Sequence, residues 1–234
     1  MRRLSISIVL GFALFVIVAG SVAIWAVHAA RLASAPAEVT LERLDRYGRV
    51  PAFSLTERSG RRITRDDLLA YVAVVDFIYT ECTETCPTQS LQLAQLQNDF
   101  ADARDLRLVS VTVDPRHDSP AVLTRYAARY GAGDRWWFLT GDQEEIYCLA
   151  KSGFHLSVVD PSVGQAPVCG SAFRFGPAPA WASHGSKGLI MHSARLVLVD
   201  RAGEIRAYHL ATDPDAFGHL KTNLRRLLAE TERR

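Results

Sequence analysis

Cys82 and Cys86, spaced C-x-x-x-C with Pro87 behind the second, are the residues of this chain best equipped for chemistry. Two thiols at the mouth of a strand–helix turn can exchange electrons as a dithiol/disulfide pair, or they can hold a soft metal ion as thiolates. His192 follows another apolar stretch over a hundred residues later. An imidazole carried to the same place tips the balance toward metal. Cys86 falls where a helix should begin, and unpaired amides there favour negative charge, so its thiol is expected below the usual ~8.5.

The elements that must position these groups are readable. Residues 72–79 are β-branched, aromatic and almost wholly apolar, the pattern of a buried strand. Pro87 suits the first turn of a helix running to about Phe100, with Leu91, Leu93, Leu96 and Phe100 partly on one face. Upstream, residues 53–56 and 62–64 form a small hairpin about Ser59-Gly60, and Asp66 and Asp67 open a short helix ending near Ala70. Downstream come a strand at 106–113, a helix at 121–130, a short strand at 137–139 and a helix from Asp142 to about Ser152. A strand near 154–158 follows. Residues 196–199 and 204–209 make a second hairpin, and a helix from Pro214 to about Glu230 ends the pattern. A βαβ unit first and a hairpin plus helix last describe an α/β sandwich of thioredoxin type.

Residues 4–27 carry no charge. About 24 helical residues reach roughly 36 Å, enough to cross a hydrocarbon core. Arg2 and Arg3 precede the run, which predicts a cytoplasmic N-terminus and an exported remainder, with Trp25 as an interfacial aromatic. A cleaved signal peptide is the competing reading, but its best small-residue site, Ala33-Ser34-Ala35, is followed by Pro36. The expected organisation is residues 1–3 cytoplasmic, 4–27 a transmembrane anchor, 28–49 a linker with some helix around 41–47, and 50–234 one domain. A formal net charge of +2 offers no footprint for nucleic acid. In an exported domain Cys148 and Cys169 are expected to pair as a structural disulfide. That bridge would pin the Gly- and Pro-rich insertion at 160–188.

Residues 76–88, Asp-Phe-Ile-Tyr-Thr-Glu-Cys-Thr-Glu-Thr-Cys-Pro-Thr, resemble the signature of the Sco/SenC family, membrane-anchored copper proteins of cytochrome oxidase assembly. The run 109–115, ending in Asp114-Pro115, resembles that family's second landmark, and Met191-His192-Ser193 its third. The resemblance implies a thioredoxin-like fold behind one N-terminal transmembrane helix. It implies copper, Cu(I) or Cu(II), bound by Cys82, Cys86 and His192, with Asp114 orienting His192 or the loop from behind. The implied role is delivery of copper to the binuclear centre of cytochrome c oxidase subunit II, with other copper chaperones as further partners. The implied place is the bacterial inner membrane, the C-terminal domain in the periplasm.

Two features stand apart from that pattern. The insertion at 160–188 is long, holds Cys169, Phe173, Phe175 and Trp181, and brings His184 into view as an extra ligand. Asp76 is an acid within an apolar strand, six residues before Cys82, an offset at which thioredoxin-type reductases carry a buried acid. A thiol–disulfide oxidoreductase acting on an exported partner is therefore the alternative function, with a thiol peroxidase behind it. His28, His117, His155, His209 and His219 read as surface or packing residues.

Overall fold

The computed structural model describes residues 41–159, 169 and 191–230, and within the N-terminal segment residues 14, 16, 18–22 and 25. Side chains are not described at 159, 191 and 192. The chain divides into two compact units, residues 1–40 and 41–234. In the first unit the described residues are helical, and Leu14, Val16, Val18, Val22 and Trp25 are exposed. Among described residues no helix is long and apolar enough to cross a membrane. The predicted anchor lies largely outside them.

Among the described residues of the second unit there are ten strands: β1 (Gly48–Arg49), β2 (Ser54–Glu57), β3 (Arg62–Thr64), β4 (Val72–Ile78), β5 (Leu106–Thr112), β6 (Trp136–Thr140), β7 (Val158–Val159), β8 (Met191–His192), β9 (Arg195–Val199) and β10 (Glu204–Leu210). Eight of them form one sheet in the order β1-β10-β9-β4-β5-β6-β2-β3, while β7 and β8 pair separately. The helices are α1 (Arg65–Leu68), α2 (Cys86–Asp99), α3 (Pro120–Arg129), α4 (Gln143–Cys148) and α5 (Pro214–Ala229).

Every residue of β4 is buried, as a strand covered on both faces requires. It runs parallel to β5, Asp76 beside Ser110, and antiparallel to β9, Val75 beside Val197. The parallel pair is joined by the crossover α2. Phe77 meets Phe154 edge-on at 5.5 Å. On the face that carries Ser110 and Phe138, Tyr126 of α3 packs on Phe138 and its hydroxyl lies 2.9 Å from Ser90 Oγ of α2. That contact ties both crossover helices to the sheet. The architecture is a mixed α/β sandwich of thioredoxin type, as the order of elements led one to expect.

Four local readings need correction. The helix expected at 41–47 is a turn leading into β1, which pairs with β10 through Gly48 and Ile205. Tyr47 stacks edge-on against Tyr208, and Asn223 Nδ2 donates to Glu42 O at 2.6 Å, so residues 41–49 cover the sheet edge instead of spacing it away. The helix from Asp142 changes to a π turn at Leu149–Gly153, where Gly153 approaches Pro51 so closely that a Cβ would meet its ring at 2.8 Å. The strand expected at 154–158 shrinks to Val158–Val159. Leu91 is 63% exposed, because α2 buries Cys86, Gln89, Ser90, Leu93 and Leu96, a stripe three to four residues apart that leaves Leu91 outside. Apart from Cys169, the insertion at 160–188 lies outside the described residues, and His184 with it.

Candidate metal centre

The end of β4 delivers the chain into a tight turn. Cys82 N–H donates to Tyr79 O at 3.2 Å, and α2 begins at Cys86 with Pro87 in its first turn, where a missing N–H costs nothing. Gln89 N–H donates to Thr85 O at 3.1 Å and closes the first helical hydrogen bond. The turn leaves Cys82 partly buried and Cys86 buried, and neither is in a disulfide.

The two cysteine side chains are hydrogen-bonded to each other. Burial pushes the Cys86 thiol up, and the Cys82 sulfur and the Asp76 carboxylate push the same way. A hydrogen bond from the Tyr79 backbone opposes them and loses. This overturns the expectation that a helix start would lower the thiol: the dipole acts there, but desolvation outweighs it. The Tyr79 hydroxyl is likewise pushed up, by burial first and then by Cys82. Asp76 is fully buried on β4, its charge felt at Cys86.

Behind the turn sits a second acid that the sequence did not single out. Asp118, 1% exposed, accepts Thr80 N–H at 3.0 Å, the Thr80 hydroxyl at 2.5 Å and the Thr112 hydroxyl at 2.5 Å. The Thr112 hydroxyl oxygen in turn accepts Asp114 N–H at 3.0 Å. Asp114 Oδ2 lies 2.7 Å from His117 Nδ1, whereas its Oδ1 is buried with no hydrogen-bond partner among the described residues. The only sequence signal for Asp118 was its place just before the Ser119-Pro120 helix start. Nothing local says that it folds back onto Thr80.

His192 enters through topology. β9 runs antiparallel to β4, so it starts at the edge where β4 ends, and His192 stands three residues before it. Its backbone pairs with Val158, and Ser193 N–H donates to Ser157 O at 3.1 Å. Among the described side chains, no group of three His, Cys, Asp or Glu could hold a metal ion, and the His192 side chain is not one of them. Two cysteine side chains hydrogen-bonded to each other, the first of them only partly buried, are a donor set fitted to a soft ion. Away from this edge, Cys148 at the end of α4 is joined to Cys169 in a disulfide, with Cα atoms 5.3 Å apart.

The chain presents a thioredoxin-like sheet with two cysteines on the turn after a central strand, residue types able to bind a soft metal or to exchange electrons. The SCO1/SenC family model matches residues 43–225, and the chain belongs to that family. A SCO1 protein homolog of Bacillus subtilis is 35% identical over 115 residues, 48% of this chain and 60% of the relative, so the match spans under two thirds of that protein. BsSco, solved as a member of the Sco family of cytochrome c oxidase assembly proteins with a disulfide switch, superposes with a TM-score of 0.61. It is 23% identical and aligns over 80% of this chain and 97% of its own. Bradyrhizobium japonicum ScoI, solved with copper bound, superposes with a TM-score of 0.56 at 21% identity over 75% of this chain and 99% of its own. Those two likenesses establish the fold.

Proposed function

We propose that this chain is a membrane-anchored copper-binding protein that delivers copper to cytochrome c oxidase during assembly, with subunit II as the receiving partner. Copper is the cargo, and Cys82, Cys86 and His192 are its ligands. What carries the reading is one edge of the sheet. There the contacting sulfurs of Cys82 and Cys86 lie at the end of β4, and the antiparallel register of β9 brings the backbone of His192 to the same end. Thiolates suit Cu(I), and an imidazole extends the set to Cu(II). Family membership and the copper-bound structure of the Bradyrhizobium relative support the choice of metal.

The partial burial of Cys82 suits transfer, because it is the more accessible of the two cysteines to an incoming ligand while Cys86 keeps hold of the ion from inside. The uncharged run at 4–27 is the proposed tether, holding the domain on the outer face of the inner membrane, with 28–40 as the remaining spacer. Asp114 serves the loop beside the turn, and the Cys148–Cys169 bridge is structural.

One observation favours a second reading. Asp76 is wholly buried and acts on Cys86 through its charge, as a proton-handling acid in a dithiol reductase would. The alternative is a thiol–disulfide oxidoreductase that keeps an exported partner's cysteines reduced. An anaerobic titration of the reduced full chain in detergent separates the two. The copper reading expects one Cu(I) per chain, with Cys82 and Cys86 both protected from alkylation at saturation. Two freely alkylated thiols at full copper loading would hand the site to the reductase.

A further inference from the structure

We propose that Asp118 is the positioning residue of the cysteine turn: its carboxylate fixes Thr80 and thereby sets how closely Cys82 and Cys86 are held. This rests on the reading of those two cysteines as the reactive pair.

Asp118 takes three hydrogen bonds from two other segments, Thr80 N–H and both threonine hydroxyls of Thr80 and Thr112. Its own N–H donates to Asp114 O at 2.9 Å, which fixes the loop from the other side. Thr80 stands at the one place where the chain leaves β4 and has not yet reached Cys82. Its neighbour Tyr79 supplies the carbonyl that receives Cys82 N–H and the backbone hydrogen bond felt by Cys86. One carboxylate therefore anchors the peptide from which both cysteines are referenced. Burial at 1% exposure pushes the Asp118 carboxyl up, the bonds from Thr112 and Thr80 oppose that shift, and in such a low-dielectric surrounding each of these bonds is stronger than it would be in water. A turn holding two sulfurs in contact needs this support, since nothing inside the segment Glu81–Thr85 buries more than part of a side chain.

The effect is on dithiol closure: protein dithiol plus oxidised glutathione gives protein disulfide plus two reduced glutathiones. Sulfurs held together react at high effective concentration, so loosening Thr80 lowers this equilibrium constant. Supporting residues behind a metal ligand typically change affinity by about tenfold or more when lost. The experiment compares the wild-type full chain with Asp118→Ala, with the shape-preserving Asp118→Asn, and with Asp67→Ala. Asp67 is a matched control, accepting Thr64 N–H and the Thr64 hydroxyl at 2.8 Å each, at the start of α1, just ahead of β4.

The expected result is a fall of about tenfold in the closure constant for Asp118→Ala, near 30 mV for a two-electron couple, and a smaller fall for Asp118→Asn. Asp67→Ala keeps the wild-type constant while losing thermal stability. Wild-type constants in both Asp118 variants overturn the proposal, and so does an equal fall in Asp67→Ala, which would make it a general stability effect. The measurement needs no metal. A chain that fails to retain copper at Cys82 and Cys86 but shows the Asp118 shift refutes the copper reading and upholds this one.

Discussion

Lowering the pH should destabilise this domain through His209. The ring lies on β10 at 1% exposure, with Nε2 3.4 Å from Asn223 Nδ2, and Asn223 is itself occupied by Glu42 O. Burial first, and the charge of His219 second, push His209 down from 6.5 to about 4, with the Ala216 backbone opposing. The unfolded chain binds a proton near 6.5 and the folded chain does not until about 4. Stability is therefore intact above 6.5 and is lost as pH falls toward 4. At 1.36 kcal/mol per pH unit, a gap of about 2.5 amounts to roughly 3 kcal/mol. That is a large share of the 5–15 kcal/mol typical of a domain. The assay is urea unfolding, followed by tryptophan fluorescence, at steps from about pH 7.5 to about pH 4.5, on the wild type and His209→Gln. A neutral glutamine removes this term and leaves every other titration in place. The wild type should lose roughly 2–3 kcal/mol more than the variant across that range. Parallel losses in the two proteins would refute the argument.

Other consequences are as direct. Replacing Cys148 and Cys169 by serine opens a loop bridged at a sequence separation of 21, which should cost about 3 kcal/mol, read as a fall in Tm under non-reducing conditions. Reduction of the wild type should reproduce the same fall. Iodoacetamide should label partly buried Cys82 at least about tenfold faster than buried Cys86, as peptide mass spectrometry would report. Equal rates would mean that the first turn of α2 opens readily. Gln89 is fully buried and neither of its side-chain polar atoms has a hydrogen-bond partner among the described residues, so Gln89→Met should leave stability unchanged or raise it by about 1 kcal/mol in urea unfolding.

Much of this molecule was legible in the sequence because its strands announce themselves. A short run such as 72–78, apolar but for Asp76 and rich in β-branched residues, reads as a strand buried on both faces, and the hairpins at 54–64 and 195–210 are punctuated by Gly60 and Gly203, both at positive φ. Cys82 and Cys86 were visible for the same reason, since a strand, a turn and a proline leave them one place to go. What escaped is tertiary. Leu91 is apolar yet faces solvent, because the buried stripe of α2 is set by Cys86, Leu93 and Leu96, with Gln89 taking a place that polarity alone would deny it. The thiol of Cys86 was expected low from the helix start. It is high because burial, the Cys82 sulfur and the charge of Asp76 all push it up, and no local pattern reveals that combination. Asp118 escaped for a related reason, its partners Thr80 and Thr112 being brought together only when β4 and β5 align in parallel, Ile78 beside Thr112. Residues 41–49 looked like a polar spacer, and the edge of β10 that captures them lies over 150 residues away in the chain.

Whether His192 joins the two sulfurs decides between copper carriage and dithiol exchange. X-ray absorption at the copper edge of the Cu(II)-loaded full chain tests this directly, with His192→Ala measured alongside. The wild type should show two sulfur scatterers and at least one imidazole, with the variant losing the imidazole signal and most of its Cu(II) affinity while both thiols still titrate. An unchanged copper environment and full Cu(II) affinity in His192→Ala would contradict the ligand assignment.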